Sequence, residues 1–143
     1  MPNYHLSERS LARLQGLHPD LTCVVKKAIL LTEVDFTVLE GLRTPQRQKE
    51  LVASGASRTM KSRHLTGHAV DLGAYVGGEV RWDWSLYLKI AEAMRAASFA
   101  YGIPIRWGGT WDILRGQGPI TSAMLSRSFP DGPHFELPAA VYP

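Results

Sequence analysis

Ser62-Arg-His-Leu-Thr-Gly-His-Ala-Val-Asp-Leu72 starts as a polar loop without periodicity and, past Gly67, becomes a short apolar strand over 69–72. Reading outward from it sets the fold. Upstream, Asp35-Phe-Thr-Val-Leu-Glu40 alternates and is β-branched, which predicts a strand ending at Gly41. Thr44-Pro45 supplies an N-cap and an N1 proline for a helix stopped at Gly55. Nearer the start, Ser7 caps a short helix that ends near Gly16. His18-Pro-Asp20 opens a longer one, with Leu21, Val24, Val25, Ala28 and Ile29 at helical spacing. Downstream, Val76-Gly-Gly-Glu79 reads as a hairpin turn into 80–82, and Trp84 to Tyr101 as a helix stopped by Gly102. Strands follow over 103–107 and over 134–137, where Pro138 ends the last. Helices and short strands without a βαβ rhythm imply an α+β fold, a small antiparallel sheet packed with helices.

The 143 residues suit one domain over 1–143. A chain of about that size buries roughly 70% of its unfolded surface, so no disulfide is needed for a core. Its single cysteine, Cys23, lies in an apolar helical context and is expected to be buried packing. A formal net charge of +3, spread over scattered Arg and Lys, is too weak a footprint for nucleic acid. No apolar run approaches the roughly 20 residues of a membrane span, so no membrane insertion is expected. Met1-Pro-Asn-Tyr-His5 lacks the pattern of a signal peptide. Synthesis inside a cell and a monomeric state are the expectations.

Chemistry gathers at His64, Asp71, His134 and Asp131. A catalytic zinc takes three protein ligands from His and carboxylate and leaves a fourth position for water. His64 precedes the 69–72 strand and Asp71 lies in it, so a chain turning at Gly67 can aim both at one ion. Asp71 sits between Val70 and Leu72, and a carboxylate in so apolar a strand needs a partner such as a cation. His134 opens the final strand, three residues after Asp131, which is placed to accept a proton from an attacking water. Composition and spacing alone do not separate this set from ordinary surface and core histidines.

Two motifs carry a resemblance. Ser62-Arg-His-Leu-Thr-Gly-His-Ala-Val-Asp71 resembles the S-x-H-x-x-G-x-A-x-D signature of the D-Ala-D-Ala carboxypeptidase and dipeptidase superfamily of zinc peptidases, and Asp131-Gly-Pro-His134 its later acid-x-x-His element. With Val34 to Thr44 and Arg47-Gln48, the chain is similar, from about Leu6 to Leu137, to phage endolysins acting as L-alanyl-D-glutamate peptidases. The resemblance implies Zn2+ held by His64, Asp71 and His134, with Asp131 as general base. It also implies that Arg43 points into the site, to steady an oxyanion or hold a substrate carboxylate. Ser62 would bind substrate, orient His64, or serve as a plain turn residue. The implied substrate is the peptidoglycan stem peptide, cut between L-Ala and D-Glu. The enzyme would be made in the host cytoplasm and reach the wall after membrane permeabilisation.

Alternatives stay open at this level. A D-Ala-D-Ala carboxypeptidase would more often carry Glu where this chain has Asp131, and a non-catalytic wall-binding module tends to lose ligands. His68 is declined as a ligand because Gly67 argues against a helical loop there. His5 and His18 are read as surface groups, and Glu40 and Glu136 receive no role. Trp107 and Trp111 either floor a cleft or pack in the core. The glycine pairs 77–78 and 108–109, with Gly116 and Gly118, are read as an open rim.

Overall fold

Ser7 accepts a hydrogen bond from the Ser10 amide and so caps α1, Glu8–Arg13. His18 does the same for the Asp20 amide at the start of α2, Pro19–Leu31, where Pro19 occupies the first turn. Thr44 caps α3, Pro45–Ala53, through the Arg47 amide. The long helix α4, Trp84–Tyr101, ends at Gly102 with φ 65°. These boundaries follow the capping residues read from sequence. The computed structural model describes residues 3–143; Met1 and Pro2, the first residues of the domain expected over 1–143, lie outside the described residues.

Six strands form one antiparallel sheet: β1 Phe36–Glu40, β2 Ala69–Val76, β3 Glu79–Arg81, β4 Arg106–Trp107, β5 Asp112–Ile113 and β6 His134–Glu136. Their order is β1-β2-β6-β4-β5, with β3 also on β2. The fold is therefore α+β, as expected, in a single small domain. Alternation gives the sheet two unlike faces. Phe36, Val38, Val70, Leu72, Ala74, Trp107 and Phe135 point into a core closed by Leu21, Val24, Val25 and Ala28 of α2 and Tyr87, Ile90 and Met94 of α4. Asp71, His134 and Glu136 lie in the opposite register. Asp71 pairs with His134 across β2 and β6, and Glu136 pairs with Arg106 on β4.

Three strand readings are corrected. β2 runs to Val76 instead of stopping at 72, because Gly73 is no breaker; it pairs with Thr37, and Leu39 packs over it. The strand expected over 103–107 shrinks to Arg106–Trp107, since Pro104 has no N–H to give a ladder. β5 lies where no strand was expected, because two residues cannot show a period. Cys23 is half-buried instead of buried. It falls two residues from Leu21, off the α2 stripe that faces the core. His18 is likewise half-buried, packed beside His68 and Tyr142.

A candidate metal centre on the sheet

A register shift in β1 between Val38 and Glu40 brings Glu40 opposite Asp71, where unbroken pairing would have set it against Val70. Glu40, Asp71, His134 and Glu136 thereby come together across three strands. His64 reaches them from the 3-10 turn Arg63–Thr66, capped by the Ser62 hydroxyl at the His64 amide and closed by Gly67 at φ 76°. A Cβ at Gly67 would also meet the Gly16 carbonyl oxygen at 2.6 Å, so the turn needs glycine twice over.

The donor atoms of His64, Asp71 and His134 lie within 4.8 Å of one another. His64 Nε2 and His134 Nδ1 are each 3.2 Å from Asp71 Oδ1. The far side of each imidazole is engaged. His64 Nδ1 lies 2.9 Å from the Gly41 carbonyl oxygen, and His134 Nε2 lies 2.8 Å from Glu136 Oε1. An oxygen acceptor on the outer nitrogen keeps the proton there and frees the inner nitrogen as a lone-pair donor. Two imidazoles and one carboxylate, oriented from behind and facing an open cleft, are a donor set that suits zinc.

The electrostatics agree with the geometry. Burial opposes the charge on Asp71, but hydrogen bonds and charge from His134 and His64 win and hold its carboxyl far below the usual range. Burial likewise opposes a charged His134, yet its bonds to Asp71 and Glu136 raise it to about 9. A proton and a cation therefore compete for the same pocket. Asp131 stands exposed on the lip, but its carboxyl is crowded enough that desolvation, then the Asp71 charge, raises its pKa. A carboxylate poised higher than usual is a better proton acceptor.

One cleft brings together every site residue expected from sequence: Arg43, Ser62, His64, Asp71, Asp131 and His134 line it, with Lys61, Arg106 and Trp111. His68 is turned away, its Nδ1 2.7 Å from the Thr66 hydroxyl. Arg43 is buried, and its fork is largely spent. Nε and Nη2 donate to the two Glu40 oxygens at 2.7 and 2.8 Å, and Nη1 donates to Gln48 Oε1 at 2.7 Å and Ser62 Oγ at 3.3 Å. What it offers the cleft is charge more than free donors. The Ser62 oxygen accepts from both Arg43 and the His64 amide, which ties the two together.

Three contributors went unread in sequence. Glu136 contacts His134, Glu40 holds Arg43 in place through two hydrogen bonds, and Arg106 reaches Glu136 Oε2 at 3.4 Å while its guanidinium sits 5.1 Å over Trp111. Only Glu136 had a signal, its spacing of two from His134 on a strand. The two tryptophans divide: Trp107 is core, its Nε1 donating to the Gly132 carbonyl, while Trp111 lines the cleft with its ring 5.5 Å from that of His134. The open-rim reading of Gly108 and Gly109 is corrected. Both are buried, and a Cβ on Gly108 would collide with the Asp131 carbonyl oxygen.

Fold and site together define a small α+β protein with a candidate three-ligand metal centre on one sheet face. A model of the phage L-alanyl-D-glutamate peptidase family matches residues 2–138, and the chain belongs to that family. It is 32% identical over 139 residues to the L-alanyl-D-glutamate peptidase of Escherichia phage T5, covering 94% of this chain and 98% of that one. It is also 32% identical over 114 residues to the peptidase of the same name from Listeria phage A118, which spans 78% of this chain but 39% of the relative. Among solved structures, the Serratia marcescens L-Ala D-Glu endopeptidase ChiX matches with a TM-score of 0.82 at 42% identity, covering 98% of this chain and 95% of that one. No helix among the described residues is long and apolar enough to cross a membrane.

Proposed function

We propose that this protein is a zinc-dependent endopeptidase that hydrolyses the L-Ala–D-Glu bond of peptidoglycan stem peptides, as a phage endolysin in host lysis. The observation that carries the reading is the convergence of His64 Nε2, Asp71 Oδ1 and His134 Nδ1 in a chain of this family. His64, Asp71 and His134 would hold the ion. Bound there, zinc supplies Lewis-acid activation of a water and of the scissile carbonyl.

The chain's own residues do the rest. Asp131, on the lip beside the ligands, accepts the proton that the water loses as it attacks the carbonyl carbon. It then returns that proton to the departing D-Glu nitrogen, so the Ala–Glu C–N bond breaks to a carboxylate and an amine. Arg43 places positive charge where the carbonyl oxygen becomes anionic, and Ser62 holds both Arg43 and the His64 turn in place. Asp131, not Glu136, is the base, because Glu136 has one oxygen on His134 and the other on Arg106. The cleft opens directly to solvent, and its cations Arg43, Lys61, Arg63 and Arg106 balance the carboxylates Glu40, Asp71, Asp131 and Glu136, so a bound Zn2+ would leave it net positive toward an anionic stem. One domain over 1–143, acting as a monomer on the wall after the membrane is breached, completes the reading.

Digestion of purified sacculi, with the new termini identified, tests it. The expected products are a free amino group on D-Glu and whole stems released from the glycan. Release of terminal D-Ala with the stems left attached would replace this reading with a D-Ala-D-Ala carboxypeptidase. Binding to sacculi without new termini would replace it with a wall-binding module.

A further inference from the structure

The metal cleft has a neighbour that the chemistry above leaves unused. Trp82, Trp84 and Tyr87 form an aromatic shelf walled by Pro130, Gly132 and Pro133, and Asp131 lines both shelf and cleft. We propose that this shelf is a sugar-binding subsite that stacks on the N-acetylated pyranose bearing the stem peptide. The inference deepens the L-alanyl-D-glutamate reading and rests on it.

The shelf is built, not incidental. Trp82 is 62% exposed and its neighbour Trp84 38%, adjoining aromatic surface of the kind that marks a binding face. The Trp82 ring lies within 8° of parallel to Tyr87 at 6.2 Å between centroids. Tyr87 is itself pinned. Its hydroxyl accepts from the Ala74 amide at 3.1 Å and donates to the Arg81 carbonyl at 2.6 Å, which ties α4 to β2 and β3. Trp84 lies so close to the Asp131-Gly-Pro-His134 loop that a Cβ at Gly132 would come within 3.0 Å of its ring. The shelf is therefore held at a set position beside the proposed base, and rigid aromatic surface binds with little entropy left to lose.

Charge picks the occupant. The lining of the shelf has Asp131 as its one charged group and carries no cation among the described residues, whereas the cleft sets the cations Arg43, Lys61, Arg63 and Arg106 beside the carboxylates Glu40, Asp71, Asp131 and Glu136. The proposed substrate is divided in the same way. A stem running on through the D-Glu side chain leaves that residue's α-carboxylate free beside the scissile nitrogen. On the other side a single alanine separates the bond from the glycan, and the acid group of the sugar is consumed in the amide to that alanine. This end is neutral, with an apolar C–H face on its ring. One residue extends about 3.5 Å, so the sugar must lie close to whatever group attends the scissile bond. The shelf adjoins Asp131, so stacking there would leave the anionic stem to the cleft, where the cations lie.

The test compares two substrates on the zinc-loaded full chain: an N-acetylmuramyl-L-alanyl-γ-D-glutamyl peptide, and the same peptide with an acetyl group in place of the sugar. Wild-type kcat/KM should favour the sugar-bearing substrate by about tenfold, mostly through KM, the ratio that one good contact supplies. Trp82→Ala should bring the ratio close to one, and Trp82→Tyr should restore most of it. Trp82 is exposed, so both variants should melt like the wild type. A wild type without preference, or a Trp82→Ala ratio equal to that of the wild type, overturns the subsite. Should neither substrate be cut at Ala–Glu, the functional reading falls. The subsite is then decided by saturation-transfer NMR with N-acetylmuramyl-L-alanine. Transfer to the sugar protons that disappears in Trp82→Ala upholds it, and a wild type without transfer, or a variant that keeps it, overturns it.

Discussion

Glu136 has only Phe135 and Leu137 beside it in sequence, yet it stays ionised inside the protein. Burial pushes its pKa up, but the hydrogen bond and charge of His134, with the charge of Arg106, more than reverse this. Its position behind His134 Nε2 fixes which imidazole nitrogen faces the cleft. Outer-shell partners of this kind are typically worth about 10–100-fold in metal affinity. Glu136→Ala is expected to weaken zinc by that factor in a chelator competition while circular dichroism stays unchanged; undiminished affinity would dismiss the orienting role. Asp131→Asn separates differently. It stays polar and nearly isosteric, so it should keep zinc yet lose on the order of 10²- to 10⁴-fold in kcat. A loss under about tenfold would move the base elsewhere. These roles differed in how legible they were. The candidate ligands His64, Asp71 and His134, with Asp131, were legible only through two separate motifs and the resemblance those motifs carry, whereas Glu40 and Arg106 depend on a β1 register shift and a two-residue strand.

At the scale of elements, caps were readable and register was not. Ser7, Thr44 and Gly102 act within a few residues of themselves, so α1 and α3 start, and α4 ends, where expected. The close approach of β4 to the 131–134 loop is a tertiary fact that no local pattern encodes. Gly108 donates its amide to the His134 carbonyl at 2.8 Å and accepts from the Asp131 amide at 2.9 Å. The end of β4 is thereby stitched to the segment that carries both the proposed base and a candidate ligand. An added Cβ would meet the Asp131 carbonyl oxygen and lie 3.0 Å and 3.1 Å from the Cβ atoms of Asp131 and His134. Gly108→Ala is therefore expected to cost about 1–3 kcal/mol by overpacking. Activity should fall further than stability does, because the strain is relieved by moving the base and a ligand. Thermal melting and kcat together check this, and a variant unchanged in both would show that the stitch is slack.

Across the whole molecule, one sheet separates two kinds of chemistry. The face toward α2 and α4 carries the apolar core, with Leu72, Trp107 and Phe135 fully buried. The other face carries the candidate ligands beside solvent. At roughly 25 cal/mol per Å² of apolar surface, the core rather than the ion should hold the fold together, and a chain of this length buries most of what it can. The metal-free protein is thus expected to unfold as one cooperative unit, unlike small domains that require zinc to fold. Zinc should still raise its stability by mass action, by about 2.7 kcal/mol at a free concentration 100 times Kd. For a domain of this size that is a rise in Tm on the order of 8 °C. His134→Ala should stay folded and lose both the bound zinc and the zinc-dependent rise, since one imidazole and one carboxylate make a poor site. Calorimetry with and without chelator, with metal content by mass spectrometry, decides the matter. A chelated wild type with no cooperative transition would make the ion part of the core, and a His134→Ala variant retaining one zinc per chain would remove His134 from the ligand set.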